Sequence, residues 1–122
     1  MQKDYESVIM LDDKMLDDIK SYSADMLPKI IQTYISSADE YLGELEKAIS
    51  ERSCLKLQKK AHSIKSISGQ IGAKRVYTIS SDLEETCLDV ADADVHWGNV
   101  NQLKEVLEKE IIAVKAALQK HQ

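Results

Sequence analysis

The sequence predicts an all-α fold, namely an antiparallel four-helix bundle with a short additional N-terminal helix. Four Gly and one Pro in 122 residues leave few turn signals, which favours long helices. Apolar residues recur at three- and four-residue spacings over four long segments, and no segment shows the alternation typical of a β-strand. Because short turns join these segments, neighbouring helices are expected to pack antiparallel around one core.

The composition favours one cytoplasmic domain and argues against several classes of function. A formal net charge of -5 and the absence of a basic stripe make nucleic acid an unfavourable partner. No apolar run approaches the roughly 20 residues that span a bilayer, so direct membrane insertion is not expected. Cys54 and Cys87 are isolated, without metal-ligand spacing. We expect reduced, half-buried thiols, with a disulfide as the open alternative.

The N-terminal part of the chain divides into a leader and a short helix. Residues 1–11 form the leader, and the predicted domain covers residues 12–120. Asp12 and Asp13 place negative charge where the first helix, residues 12–22, would begin. Such a short helix must lie on a larger element, because it is not stable alone. Its apolar side consists of Met15, Leu16 and Ile19.

The second helix is predicted from about Asp25 to Ser50. Pro28 falls in its first turn, where no intrahelical N–H is lost. Gly43 in its interior is unfavourable by about 1 kcal/mol relative to Ala, so we expect a close helix contact there. The apolar stripe consists of Ile30, Ile31, Tyr34, Ile35, Ala38, Tyr41, Leu42, Leu45, Ala48 and Ile49.

Three further segments complete the bundle. The third helix begins after Ser53, a suitable N-cap, and ends near Gly72, a typical C-terminal glycine. The fourth helix is predicted over residues 73–90 and the last over residues 96–120, with Asp94 as its cap. The apolar stripe of the third helix consists of Leu57, Ala61, Ile64, Ser68 and Ile71. That of the fourth helix consists of Val76, Ile79, Leu83 and Cys87. That of the last helix consists of Val100, Leu103, Leu107, Ile111, Val114 and Leu118.

A second face of the third helix combines a histidine with a cation and small side chains. Lys65 follows His62 by one turn, and Ser66 and Gly69 keep the surroundings short. A lone histidine on a helix is usually structural or merely exposed. This pattern suits phosphoryl transfer, because a neutral imidazole can attack a phosphoryl group and an ammonium group stabilises the charge of the product.

A carboxylate on the fourth helix is expected to face this histidine. If the chain reverses near Ala73, His62 lies opposite the neighbourhood of Glu84. A carboxylate that accepts the proton of one imidazole nitrogen leaves the other nitrogen free as a nucleophile. Alternatively, Glu84 is a solvated charge that pairs with Lys74 or Arg75.

The sequence of residues 61–72, Ala-His-Ser-Ile-Lys-Ser-Ile-Ser-Gly-Gln-Ile-Gly, resembles the signature of histidine-containing phosphotransfer (HPt) domains. That signature is broadly Ala-His-x-hydrophobic-Lys-Gly-small-small-x-x-hydrophobic-Gly, and the likeness covers about residues 10–120. It implies a four-helix bundle with an exposed phospho-acceptor histidine, His62. It also implies that Lys65 neighbours the phosphate, with Ser66 and Gly69 around it, and that Glu84 orients the histidine.

Two positions depart from the pattern of the family. Ser66 stands where Gly is usual; its hydroxyl could donate to the phosphate, or its bulk could slow the approach of a receiver domain. Ile67 is larger than the usual small residue and is expected to pack sideways on a neighbouring helix. Met15 and Ile19 are candidates for receiver docking, and ordinary packing of the first helix is the alternative reading.

We therefore expect a monomeric phosphorelay intermediate that takes a phosphoryl group on His62 from one response-regulator receiver aspartate and passes it to another. A hybrid sensor histidine kinase is a further candidate partner, and the chain could be its cytoplasmic tail. No ATP-binding motif, cofactor site or metal site is expected, so the chain is a phosphohistidine carrier and any Mg²⁺ belongs to the receiver. His96 and His121 are expected at the surface and Trp97 as a packing anchor.

Two alternative functions stay open at this point. One is the phospho-acceptor domain of a chemotaxis-type histidine kinase, which an ATP-binding domain would phosphorylate. The other is a transfer-deficient regulatory bundle, which Ser66 in place of Gly keeps open.

Overall fold

Five α-helices make up the fold in the computed structural model, which describes residues 4–121. The part of the chain described contains no β-strand, so the predicted all-α class is confirmed. None of these helices is long and apolar enough to cross a membrane. The helices are α1 (Asp13–Tyr22), α2 (Met26–Ser50), α3 (Cys54–Ile71), α4 (Lys74–Thr86) and α5 (Trp97–Gln119), and a 3-10 turn at Asp92–Asp94 precedes α5.

The four longer helices close into a bundle in which each packs against two neighbours. α3 contacts α2 and α4, and α5 contacts the same two helices from the other side, while α1 packs on α2. The predicted apolar stripe of α3 is buried throughout. It therefore forms the inner surface of α3 and leaves the histidine face outside.

One polar pair ties α3 to α2 inside the core. Ser68 lies in the apolar stripe and is fully buried, and its hydroxyl forms a 2.9 Å hydrogen bond with that of Tyr34. Burial raises the pKa of Tyr34 to about 12, so the phenol stays neutral near pH 7. Each hydroxyl satisfies the other, which explains a serine at a core position.

The turn between α3 and α4 fixes how these two helices face each other. Gly72 ends α3 in the left-handed region at φ 78°, as its sequence position predicts. A Cβ atom there would lie 2.9 Å from the Cβ of Asp12, so a side chain is excluded on two grounds. The backbone N–H of Asp12 donates to the Gly72 carbonyl at 2.8 Å, which places the start of α1 over this turn. At the other end of α3, the Ser53 side chain caps the helix as predicted.

Two expectations about the second half of the chain are wrong. α4 ends at Thr86 and not near Val90. Asp94 lies in the 3-10 turn, and the cap of α5 is His96, whose Nδ1 accepts a 3.1 Å hydrogen bond from the Asn99 N–H. The sequence favoured the aspartate because carboxylates are the more common caps.

The close contact expected at Gly43 is also absent. A Cβ atom at this position would meet nothing within 4 Å, and the residue is exposed.

Trp97 is half-buried against the core, and its indole N–H donates to the Asp92 carbonyl at 2.9 Å, as suits a packing anchor. Cys54 and Cys87 are free and more deeply buried than expected.

Residues 4–11, which precede α1, pack on the bundle, although their sequence shows no pattern. Tyr5 and Leu11 are buried in the common core. Arg75 of α4 donates to the Val8 carbonyl at 3.0 Å, and the Tyr5 hydroxyl donates to Asp82 at 2.6 Å. The segment therefore lies along α4, away from the α3 face described next.

Candidate functional site

The site begins with an imidazole that projects from the middle of α3. Ala61 and Ile64, on either side of His62 in sequence, are fully buried and fix the rotation of the helix. As a result the His62 side chain points outward and remains 65% exposed. A partner molecule can therefore reach the ring without any rearrangement of the bundle.

Glu84 of α4 holds one nitrogen of this ring. Its Oε2 lies 2.8 Å from His62 Nδ1. A carboxylate accepts hydrogen bonds and does not donate them, so the contact places the imidazole proton on Nδ1. Nε2 then carries the free lone pair, and within residues 4–121 it has no hydrogen-bond partner. The nitrogen at the tip of the ring is thus the available nucleophile.

Lys65 shares the same carboxylate. Its Nζ lies 3.3 Å from Glu84 Oε1, while the other oxygen of Glu84 contacts His62. The Lys65 and Glu84 side chains are 24% and 23% exposed, so both are more shielded from solvent than the imidazole. The arrangement places a positive charge beside the ring and leaves the ring as the most accessible member.

The side chains around the imidazole are short, as the sequence predicts. Ser66 and Gly69 are exposed on the same face of α3. The ring of Tyr77 lies against Gly69, because a Cβ atom there would meet its Cδ2 at 3.2 Å. Gln58, one helical turn before His62, is half-buried, and its amide donates to the Cys87 carbonyl.

Tyr77 is a neighbour of the site that sequence reasoning missed. Its ring centroid lies 5.5 Å from Lys65 Nζ, within the range of a cation–π contact. It precedes Glu84 by seven residues, which puts both side chains on one face of α4. That spacing was the available signal, but it acquires meaning only when α4 is docked on α3.

The candidates for receiver docking lie at the α1–α2 surface. Met15 and Ile19 are half-buried, and with Met26 and the highly exposed Tyr22 they line a shallow apolar depression. Ile67 of α3 is partly buried against the core and lines an adjacent depression with residues of α2. The structure therefore leaves both readings of Met15 and Ile19 in place, since each packs and is also accessible.

The two cysteine thiols, which are further reactive groups, are buried. Burial and contact with the Cys87 thiol raise the pKa of Cys54 to about 12, so this thiol stays protonated near pH 7. Within residues 4–121, no three His, Cys, Asp or Glu side chains gather into a group that could hold a metal ion. The arrangement around His62 can thus offer a nucleophilic nitrogen, a carboxylate and an ammonium group.

Comparisons with known proteins concern the family and the fold of this chain. The sequence model of the Hpt domain matches residues 29–117. The fold is similar to the crystal structure of histidine-containing phosphotransfer protein B from Pseudomonas aeruginosa PAO1, with a TM-score of 0.82 and 24% sequence identity. That similarity covers 93% of this chain and 94% of the other. No curated protein sequence matched this chain.

Proposed function

Because this chain belongs to the Hpt domain family, we propose that it is a phosphorelay intermediate that carries a phosphoryl group on His62. The observation that supports this most strongly is the 2.8 Å contact of Glu84 with Nδ1 of an imidazole that is 65% exposed. It prepares Nε2 for attack on a phosphoryl group that another protein brings to the surface.

The proposed reaction uses the three side chains in separate roles. The Nε2 lone pair of His62 attacks the phosphorus of an aspartyl phosphate, and the bond from phosphorus to the aspartate oxygen breaks, which releases a carboxylate. The ring keeps its Nδ1 proton and gains positive charge, which Glu84 stabilises through its 2.8 Å contact. Lys65, which contacts the same carboxylate as His62, turns in this proposal from Glu84 to the phosphoryl oxygens. Attack by the aspartate of a second receiver reverses the step.

The partners proposed are response-regulator receiver domains, and a hybrid sensor histidine kinase could carry one of them. The receiver supplies the aspartate and its Mg²⁺. We propose that it covers the His62 face and reaches the depression that Met15 and Ile19 line. We further propose that the chain acts in the cytoplasm and as a monomer, so that each bundle presents one phospho-acceptor histidine.

The test is phosphoryl transfer from phosphorylated receiver domains of the source organism, followed as acid-labile phosphate on the chain. Wild type and His121→Gln are expected to become labelled and His62→Gln to remain unlabelled. His121 is the matched control, because it also pairs with a carboxylate. Absence of label on wild type with every receiver, or label on His62→Gln, would overturn the proposal. Labelling only by an ATP-binding kinase domain would instead favour the chemotaxis-type alternative.

A further inference from the structure

Lys65 is held from two sides by residues of α4. Glu84 contacts its ammonium at 3.3 Å, and the ring of Tyr77 lies 5.5 Å from it at the centroid. Tyr77 and Glu84 are separated by two helical turns, so they bracket the lysine along the α4 surface. The cation therefore has an anionic partner on one side and an aromatic face on the other.

The two partners restrain the ammonium differently. Glu84 takes a hydrogen bond from it and would compete with a phosphoryl group for the same donors. An aromatic face attracts the charge without accepting one of the three N–H bonds. The Tyr77 ring can thus keep Lys65 beside His62 while the ammonium exchanges Glu84 for phosphoryl oxygens.

Gly69 makes room for this ring. A Cβ atom there would meet Tyr77 Cδ2 at 3.2 Å and Cε2 at 3.3 Å, closer than side chains normally pack. Glycine in a helix interior is otherwise unfavourable. The exposed glycine on the site face therefore has a local reason, which is the position of the Tyr77 ring over α3.

We propose that Tyr77 is a positioning residue for the phosphoryl transfer, one that acts by holding the Lys65 ammonium within reach of a phosphoryl group on His62. This inference rests on the proposed function of His62. Tyr77 need not touch the reacting atoms, and its hydroxyl is not required. The prediction is that the ring matters only while Lys65 is present.

The test measures the rate at which His62 is phosphorylated, both by a phosphorylated receiver and by phosphoramidate, a small phosphoryl donor. Tyr77→Leu is expected to lower both rates about two- to fivefold, the effect of an exposed cation–π contact. Tyr77→Phe keeps the ring and is expected to match wild type. In a Lys65→Gln background, Tyr77→Leu is expected to have no further effect.

A matched control lies on the opposite side of α3. Lys60 is bracketed in the same way by α2, with Glu44 at 2.9 Å and the Tyr41 ring centroid at 5.7 Å, whereas the carboxylate that contacts His62 is Glu84 of α4. Tyr41→Leu is therefore expected to leave both rates unchanged. Gly69→Ala, which displaces the Tyr77 ring without removing it, is expected to slow the reaction in the same Lys65-dependent way.

Several outcomes would overturn the role of Tyr77. Equal rates for Tyr77→Leu and wild type would do so, as would a Tyr77→Phe variant as slow as Tyr77→Leu. A loss of the same size in the Lys65→Gln background would show that the ring acts without the lysine. If wild type takes no phosphate on His62 from either donor, the proposed function fails first. A labelled wild type with unaffected variants refutes only the inference about Tyr77.

Discussion

Two histidine–carboxylate pairs lie within residues 4–121, and they differ in which partner is exposed. His62 is 65% exposed and its partner Glu84 only 23%, whereas His121 is 23% exposed and its partner Asp13 72%. In the first pair the carboxylate is shielded and the imidazole ring is exposed to solvent. In the second pair the ring is shielded and the carboxylate is exposed.

The pairs also differ in the nitrogen that each uses. Glu84 contacts Nδ1 of His62, which leaves Nε2 free at the tip of the ring. Asp13 contacts Nε2 of His121 at 3.0 Å, which leaves only Nδ1, the nitrogen nearer the backbone. If His62 is the carrier, as proposed, an imidazole beside a carboxylate is not expected to be sufficient for a carrier site. The nitrogen that remains, its exposure and a nearby cation distinguish the two.

The largest expected effect on the rate of transfer comes from replacing Glu84, the carboxylate that contacts His62. Glu84→Ala removes the acceptor at Nδ1 and is expected to slow phosphorylation of His62 about tenfold, the lower end for a hydrogen bond to a charged group. Glu84→Gln keeps an acceptor oxygen without the charge and is expected to fall between Ala and wild type. Rates measured with a phosphorylated receiver check this order.

Asp13→Ala is the matched control for that series. It breaks the contact with His121, and its expected rate equals that of wild type. A rate for Asp13→Ala as low as that of Glu84→Ala would contradict the expectation that only the His62–Glu84 pair serves transfer.

A smaller effect is expected from the serine beside the site. Ser66→Gly removes an exposed side chain from the surface that a receiver must cover, and the rate of transfer is expected to rise about two- to threefold, below the tenfold that 1.4 kcal/mol would give. Glycine should also lower the free energy of unfolding by about 0.5 kcal/mol. Transfer by phosphorylated receivers and urea denaturation measure the two effects. A slower Ser66→Gly variant would show instead that the hydroxyl assists, and a rise from zero would favour the transfer-deficient alternative.

The smallest effect on transfer is expected at the third histidine. His96 accepts the Asn99 N–H through Nδ1, so its role is to cap α5. His96→Ala is expected to lower the free energy of unfolding by about 0.5 kcal/mol, or about 2 °C in Tm, with no change in transfer. Thermal unfolding and the transfer assay check the two parts. A change in rate without a change in Tm would contradict a purely capping role.

Helical spacing predicted the bundle because burial follows a simple period. The stripe of α3 from Leu57 to Ile71 is buried as its spacing implies, and Gly72 ends the helix with a positive φ. Capping was less predictable: His96 took the place expected for Asp94, because an imidazole Nδ1 satisfies the same N–H. Gly43 faces open space, which no local pattern distinguishes from a close helix contact.

The part of the site that lies on one helix could be predicted from the sequence. His62, Lys65, Ser66 and Gly69 share a face of α3 by spacing alone, whereas their roles remain predictions. The meeting of His62 with Glu84 could be anticipated only because the α3–α4 turn is short. Tyr77 could not, since its contact with Lys65 depends on the docking of two helices and on the missing side chain of Gly69.

The most direct measurement identifies the nitrogen that carries the phosphoryl group. Nuclear magnetic resonance of the phosphorylated chain, labelled with ¹⁵N in its imidazoles, resolves both nitrogens of each histidine. The geometry around His62 predicts phosphorus coupled to Nε2, a proton kept on Nδ1 beside Glu84, and unchanged spectra for His96 and His121. Phosphorus on Nδ1 of His62, or on His121, would contradict it.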